Sequence, residues 1–330
     1  VAETLLDPLA GATPIKPPKR RAWLGGLLNL TLLGLLLLLW AVLSFTTDSF
    51  ATHGNFINLM RQASLWTIIA IGETFVIITA GIDLSVGAVV GLASTVVAIL
   101  LTAHVSIFVS CLLTLALGIA IGLFHGFAIV QMRLPPFITT LATLTALRGI
   151  GLLITGGQTI SGMPEAFGAF SRGSLAGIPN LFVVVILVAI PAYVLLHHSR
   201  WGRYLFATGS NPEAARLSGV HVGRTIYLAY VVSAGLAALA GILTASRIGV
   251  GVATTGDGWE LQAIASSVIG GASLFGAVGS VLGPILGAGL LTTINNGANL
   301  LNVNPFWQRI ITGALILVIV YFDQRRRRRA

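Results

Sequence analysis

One acid and one strong base stand near the middle of long apolar runs of this 330-residue chain, Glu73 and Arg148. A lone charge in hydrocarbon costs at least about 2.5 to 3.5 kcal/mol on insertion scales, so each demands a partner. Each is the twelfth residue of a 19-residue apolar stretch, 62–80 and 137–155 respectively, which places both near mid-span. They form a candidate intramembrane charge pair, direct or water-bridged; separate hydrogen-bonded partners are the plainer reading, and contact of either residue with substrate is the third. A third polar feature is the break at Gly81, Asp83 and Ser85, which interrupts two apolar helices. The backbone groups it frees must be satisfied inside protein or beside a water-filled cavity. A carboxylate at a helix start accepts backbone N–H groups, so Asp83 is expected to cap the following helix. Asn295, Asn296 and Asn299, with Gln158, supply amides suited to a hydroxylated solute and are the candidate substrate path; capping helix ends or facing water is the plainer reading.

Chemistry of a covalent kind finds no support. Six scattered histidines form no HExxH pair, and there is no GxSxG elbow or intramembrane aspartate pair. His197 and His198 read as an interfacial pair. The single cysteine, Cys111, lies in an apolar run and excludes both a disulfide framework and a cysteine metal site. No GxxxxGKS/T loop is present, so the chain has no P-loop for ATP. Neither an arginine-ladder voltage sensor nor a TVGYG-like filter occurs, which weighs against the second reading, a passive solute or ion channel.

The longest polar stretch within the chain, 199–224, contains a short capped-helix signature. Asn211 or Ser210 can cap it, Pro212 suits its first turn, Glu213 meets its positive end and Gly219 can stop it. Displayed on the cytoplasmic side, such a helix is either a docking element or a simple connection.

These groups need a scaffold, and the composition says which kind. With 55% hydrophobic and 9% charged residues, the chain cannot solvate a water-soluble surface of this size. An all-α, polytopic membrane bundle is expected, with apolar stretches at 23–45, 62–80, 84–102, 105–130, 137–155, 180–198, 225–247, 261–274, 277–294 and 306–322. The range is eight to ten crossings, because 261–274 is short enough to be re-entrant or tilted. Residues 1–22 read as a cytoplasmic arm, 23–322 as one transmembrane domain and 323–330 as a basic cytoplasmic tail. The net charge of +9 does not imply nucleic-acid binding, since basic residues sit in short blocks beside the apolar runs. Ten crossings with both termini inside put Lys16 to Arg21, Arg133, Arg200, Arg203, Arg216, Arg224 and Arg325 to Arg329 in the cytoplasm, as the positive-inside rule asks. Ladders at Gly118, Gly122, Gly126 and at Gly279, Gly283, Gly287 mark close helix packing. Each is followed by Pro-Phe, at 136–137 and 305–306, which hints at an inverted repeat.

Three segments resemble the monosaccharide permeases of bacterial ATP-binding-cassette importers, of which the ribose permease is the familiar member. They are GETFVIITAGIDLSVGAVVGLAS from Gly72 to Ser94, the loop from Ala207 to Val220, and LQAIASSVIGGASLFGAVGSVLGPILGA from Leu261 to Ala288. The likeness runs from about residue 25 to 322; the five-arginine tail departs from it. It implies a type II importer-like permease of the bacterial inner membrane, paired with a second permease subunit in a homodimer. It also implies a cytoplasmic ATPase carrying the ATP and magnesium, and an extracytoplasmic sugar-binding protein. By the same likeness Asn211, Pro212, Glu213, Ala214, Ala215, Arg216, Leu217, Ser218 and Gly219 form the element that receives ATPase motion. The chain itself is expected to bind no cofactor or metal and to catalyse no reaction. Ribose-like import is the expected activity.

Overall fold

The computed structural model describes residues 20–304 and ten scattered positions from 306 to 325, with side chains described from residue 29 onward. The arm at 1–19, most of the tenth expected span at 306–322 and most of the tail lie outside the described residues.

The described part is all-α apart from one two-residue β-pair. The elements are α1 (Arg20–Thr46), α2 (His53–Ile78), α3 (Val86–Thr102), α4 (Ile107–Val130), α5 (Pro136–Thr155) and α6 (Glu165–Arg172). Then come β1 (Ser174–Leu175), β2 (Ile178–Pro179) and α7 (Asn180–Tyr193), prolonged by a π-turn at Val194–His198. They are followed by α8 (Arg200–Ser210), α9 (Pro212–Leu217), α10 (Val222–Ile248), α11 (Trp259–Ile269) and α12 (Leu282–Leu300). Among the described residues, six helices are long and apolar enough to cross a membrane: 29–46 of α1, α2, α4, α5, α7 with its π-turn, and α10. Of the other expected spans, α3 is apolar but has 17 residues, and α11 has 11.

The centre is built on α2 and α10. From Ser64 to Ile78, α2 is buried on every side, and α10 meets α2, α3 and α4 through small residues such as Ala234, Ala237, Ala238 and Gly241. Lipid offers helices little hydrophobic drive to associate, so close backbone approach has to supply the packing. The first glycine ladder does this: a Cβ on Gly118 would lie 2.4 Å from Ala238 Cβ, and one on Gly122 would lie 2.6 Å from Tyr230 O. The second ladder is split. Gly283 and Gly287 press α12 against Gly270 and Ser266 of α11, while Gly279 precedes α12 and faces Ile78.

Side-chain contacts fix the direction of α11. Trp259 meets Trp66 edge to face at 6.5 Å, Ser267 Oγ donates to Ala70 O at 2.9 Å, and Ala277 N donates to Ile78 O at 2.9 Å. The helix therefore begins beside the middle of α2 and runs toward its C-terminal end. Chain 249–258 leads into α11 without helix. It starts beside Ile160, where Gly251 and Ile160 exchange backbone hydrogen bonds at 2.8 and 2.9 Å, and descends to Trp259.

Candidate functional site

Helix α2 ends at Ile78, and the chain turns back through Ala80, at a left-handed φ of 62°, and Gly81 before α3 begins. Asp83, wholly buried, organises this break. Its Oδ1 accepts from Ser85 N at 2.9 Å and Ser85 Oγ at 2.6 Å, and its Oδ2 accepts from Ser233 Oγ of α10 at 2.9 Å. The carboxylate takes the N–H of Ser85, the residue preceding α3, and also ties that start to α10. Gly81 has a steric role: a Cβ there would lie 2.6 Å from the Tyr230 hydroxyl.

Glu73 and Arg148 are not brought together. Glu73 Oε1 accepts the backbone N–H of Asp83 at 3.1 Å. Arg148 Nη1 donates to Ala253 O at 2.7 Å and Thr255 O at 3.0 Å, and its Nη2 lies 3.9 Å from Asp257 Oδ1. Among the described residues no ion pair links Glu73 to Arg148. The two charges have separate partners in place of a mutual pair: the Asp83 backbone for Glu73, and the 253–257 segment for Arg148.

The break also collects unpartnered polar groups, of which sequence reasoning singled out Glu73 but not Tyr230 or His125. Glu73 Oε2, the Tyr230 hydroxyl and both ring nitrogens of His125 are buried without a protein hydrogen-bond partner. The His125 and Tyr230 rings lie 5.8 Å apart. A histidine one place before Gly126 of the α4 ladder is the sequence signal that could have found it.

The expected path amides are dispersed. Asn296 exchanges two hydrogen bonds with Asn55, at 3.1 and 2.8 Å, joining α12 to α2. Asn295 is half-buried, whereas Asn299 and Gln158 are exposed. Gln158 N closes a turn on Thr155 O after α5.

At the other end of the molecule, Asn211 Oδ1 accepts from Ala214 N at 3.0 Å, Pro212 opens α9, and Gly219 leaves it at φ 82°. Glu213 and Arg216 pair at 3.3 Å on the surface, and Leu217 is 88% exposed. Of 211–219 only Ala215 is buried, and it anchors the helix. A second helix that the sequence reading lacked, α8, leads into this element, its Gly202 packed on Leu196 O. Beside α9 lies a recess of about 660 Å³, lined by Ile129, Arg133, Arg216, His221 and Ile226 among others. It has two arginines and no acid.

Residues 55–320 match the family described as branched-chain amino acid transport system / permease component. The chain is 39% identical over 295 residues to the ribose import permease protein RbsC of Escherichia coli K12, covering 88% of this chain and 92% of that one. It is 39% identical over 308 residues to the galactose/methyl galactoside import permease protein MglC of the same strain, covering 87% and 91%. It is 38% identical over 300 residues to the autoinducer 2 import system permease protein LsrC of Photorhabdus laumondii, covering 91% and 90%. No solved structure matches at a significant level. A family match across most of the chain, and relatives aligned over most of both lengths, join the buried helix break and the displayed helix α9 in one conclusion: the chain belongs to this permease family, as a multi-pass membrane subunit of a bacterial ATP-binding-cassette importer and not its ATPase.

Proposed function

We propose that the chain moves a monosaccharide of the ribose type into the cytoplasm by alternating access, as one of a pair of permease subunits. An ATPase subunit carrying ATP and magnesium docks on 211–219, and an extracytoplasmic sugar-binding protein delivers the cargo. The observation that carries this reading is α9, a capped helix whose exposed Leu217 stands beside a basic recess. Leu217, with the charged Glu213 and Arg216 on the same short helix, offers a partner both apolar and charged contacts. The names of the relatives, ribose and galactose importers among them, support the cargo class.

The same reading takes the bundle as ten crossings of type II importer form, with both termini cytoplasmic. The half-extended passage of 249–258 and α11 serves as the eighth crossing, and 306–322 as the tenth. Basic residues at Arg133, Arg200, Arg203, Arg216 and Arg224 support that orientation. Proteoliposomes holding the assembled importer, binding protein and labelled D-ribose test it. Uptake should require ATP and the ATPase; ribose flux through the permease alone, without nucleotide, would make it a channel.

A further inference from the structure

The charged pair Arg148–Asp257 sits where hydrocarbon would be expected. Arg148 is seven residues before the end of α5, so it lies about 10 Å inside that end at 1.5 Å per residue. The loop reaches this depth because α3 yields room for it. A Cβ on Gly91 would stand 2.4 Å from Ala253 O, 2.7 Å from Thr255 O and 2.8 Å from Arg148 Nη1. One on Gly87 would stand 2.3 Å from both Gly256 O and Glu260 Oε2. Arg148 thereby holds two loop carbonyls against the glycine face of α3, at the mid-span start of α11.

Asp257 is the informative member. Its side chain is 78% exposed, against 17% for Arg148, and an aspartate is too short to snorkel to an interface as lysine or arginine can. An open carboxylate at this depth borders water. Thr145, three residues before Arg148, adds an exposed hydroxyl to a face of α5 that also carries large apolar side chains such as Leu141 and Ile150, while α7 exposes Ile186, Leu187 and Ile190. A further polar group is near, since Glu260 Oε2 is buried without a hydrogen-bond partner at the first turn of α11.

We infer that α5 and the 249–258 loop wall an aqueous part of the passage, and that the Arg148–Asp257 pair is a contact for a neutral polyhydroxylated solute there. A carboxylate accepting and a guanidinium donating side by side can engage adjacent hydroxyl groups, and the 3.9 Å gap between them is open enough to admit such bonds. The solute class rests on the proposed sugar import; the aqueous wall does not.

Cysteine accessibility separates the two. In a Cys111→Ala background within the assembled importer in membranes, Asp257→Cys and Thr145→Cys should react with a charged, membrane-impermeant methanethiosulfonate, and Leu187→Cys should not. Unreactive Asp257→Cys and Thr145→Cys, or a disulfide joining two copies through Asp257→Cys instead of labelling, would overturn the aqueous wall. Asp257→Asn should lower kcat/KM for D-ribose uptake by about ten-fold or more with ATPase assembly unchanged, and Asp257→Glu should restore part of it. Labelling with unaltered Asp257→Asn uptake would reject the solute contact. If the unsubstituted importer moves neither ribose nor galactose, the cargo class fails while labelling still decides the wall.

Discussion

Asp83 accepts three hydrogen bonds, from two donors of Ser85 and one of Ser233, with no exposure to solvent. Hydrogen bonds to a charged group contribute about 1.5 to 3 kcal/mol each, and a buried donor left unmatched is costly. Asp83→Ala should therefore destabilise the protein by roughly 3 kcal/mol or more, and Ser233→Ala by about 1 to 2 kcal/mol, read from thermal unfolding in detergent. An unchanged melting temperature with uptake abolished would move Asp83 from scaffold to passage. Because Glu73 and Arg148 share no partner, Glu73→Gln and Arg148→Met should be additive within about 0.5 kcal/mol in a double-mutant cycle. A larger coupling would join them through a network that the contacts do not contain. Their hydrogen-bonding partners were not legible beforehand, because these are backbone groups: the N–H of Asp83 and the carbonyls of Ala253 and Thr255. Apolar periodicity reports which faces are buried and carries no information about main-chain groups that meet them from another segment.

Helices obey the sequence more openly. The expected span 225–247 and α10 at Val222–Ile248 differ by a few residues, and the Asn211 cap with Pro212 after it forms as its residue types require. α2 starts at His53, nine residues before its apolar run, because polar residues of its first turns find partners: Asn55 on Asn296, and Arg61 on Arg172 O. The descent of 249–258 was hidden because a stretch rich in glycine and threonine resembles a surface turn. What distinguishes it is the Gly87 and Gly91 face receiving it, a relation between distant segments. Glycines offer the sharpest test at this scale. Gly283→Ala would thrust a Cβ to 2.0 Å from Gly270 O, whereas Gly149→Ala meets nothing within 4 Å. Overpacking commonly costs about 1 to 3 kcal/mol, while alanine improves a helix interior by about 1 kcal/mol. Gly283→Ala should thus unfold at markedly lower temperature than the parent and Gly149→Ala at an equal or higher one; like effects from both would contradict the α11–α12 packing.

For the whole molecule, α9 is the element proposed to touch the ATPase. Leu217→Asp should abolish co-purification of the ATPase while leaving the melting temperature of the isolated permease unchanged, since a bare surface substitution stays within about 0.5 kcal/mol. Retained ATPase with normal coupled uptake would remove α9 as the docking site.

The closure of α2 by α11 and α12 also sets a timetable for biogenesis. Thr74 and Ser267 are hydrogen-bonded across 193 residues, Ala70 and Ser267 across 197, and Asn55 and Asn296 across 241. At a synthesis rate of about 5 to 20 residues per second, α2 is in place for roughly 10 to 40 s before α11 leaves the ribosome. Throughout that interval Glu73, Thr74 and the open backbone at 79–85 lack much of their eventual covering. A nascent chain halted before residue 259 is an insertion intermediate with its most polar spanning segment half-clothed.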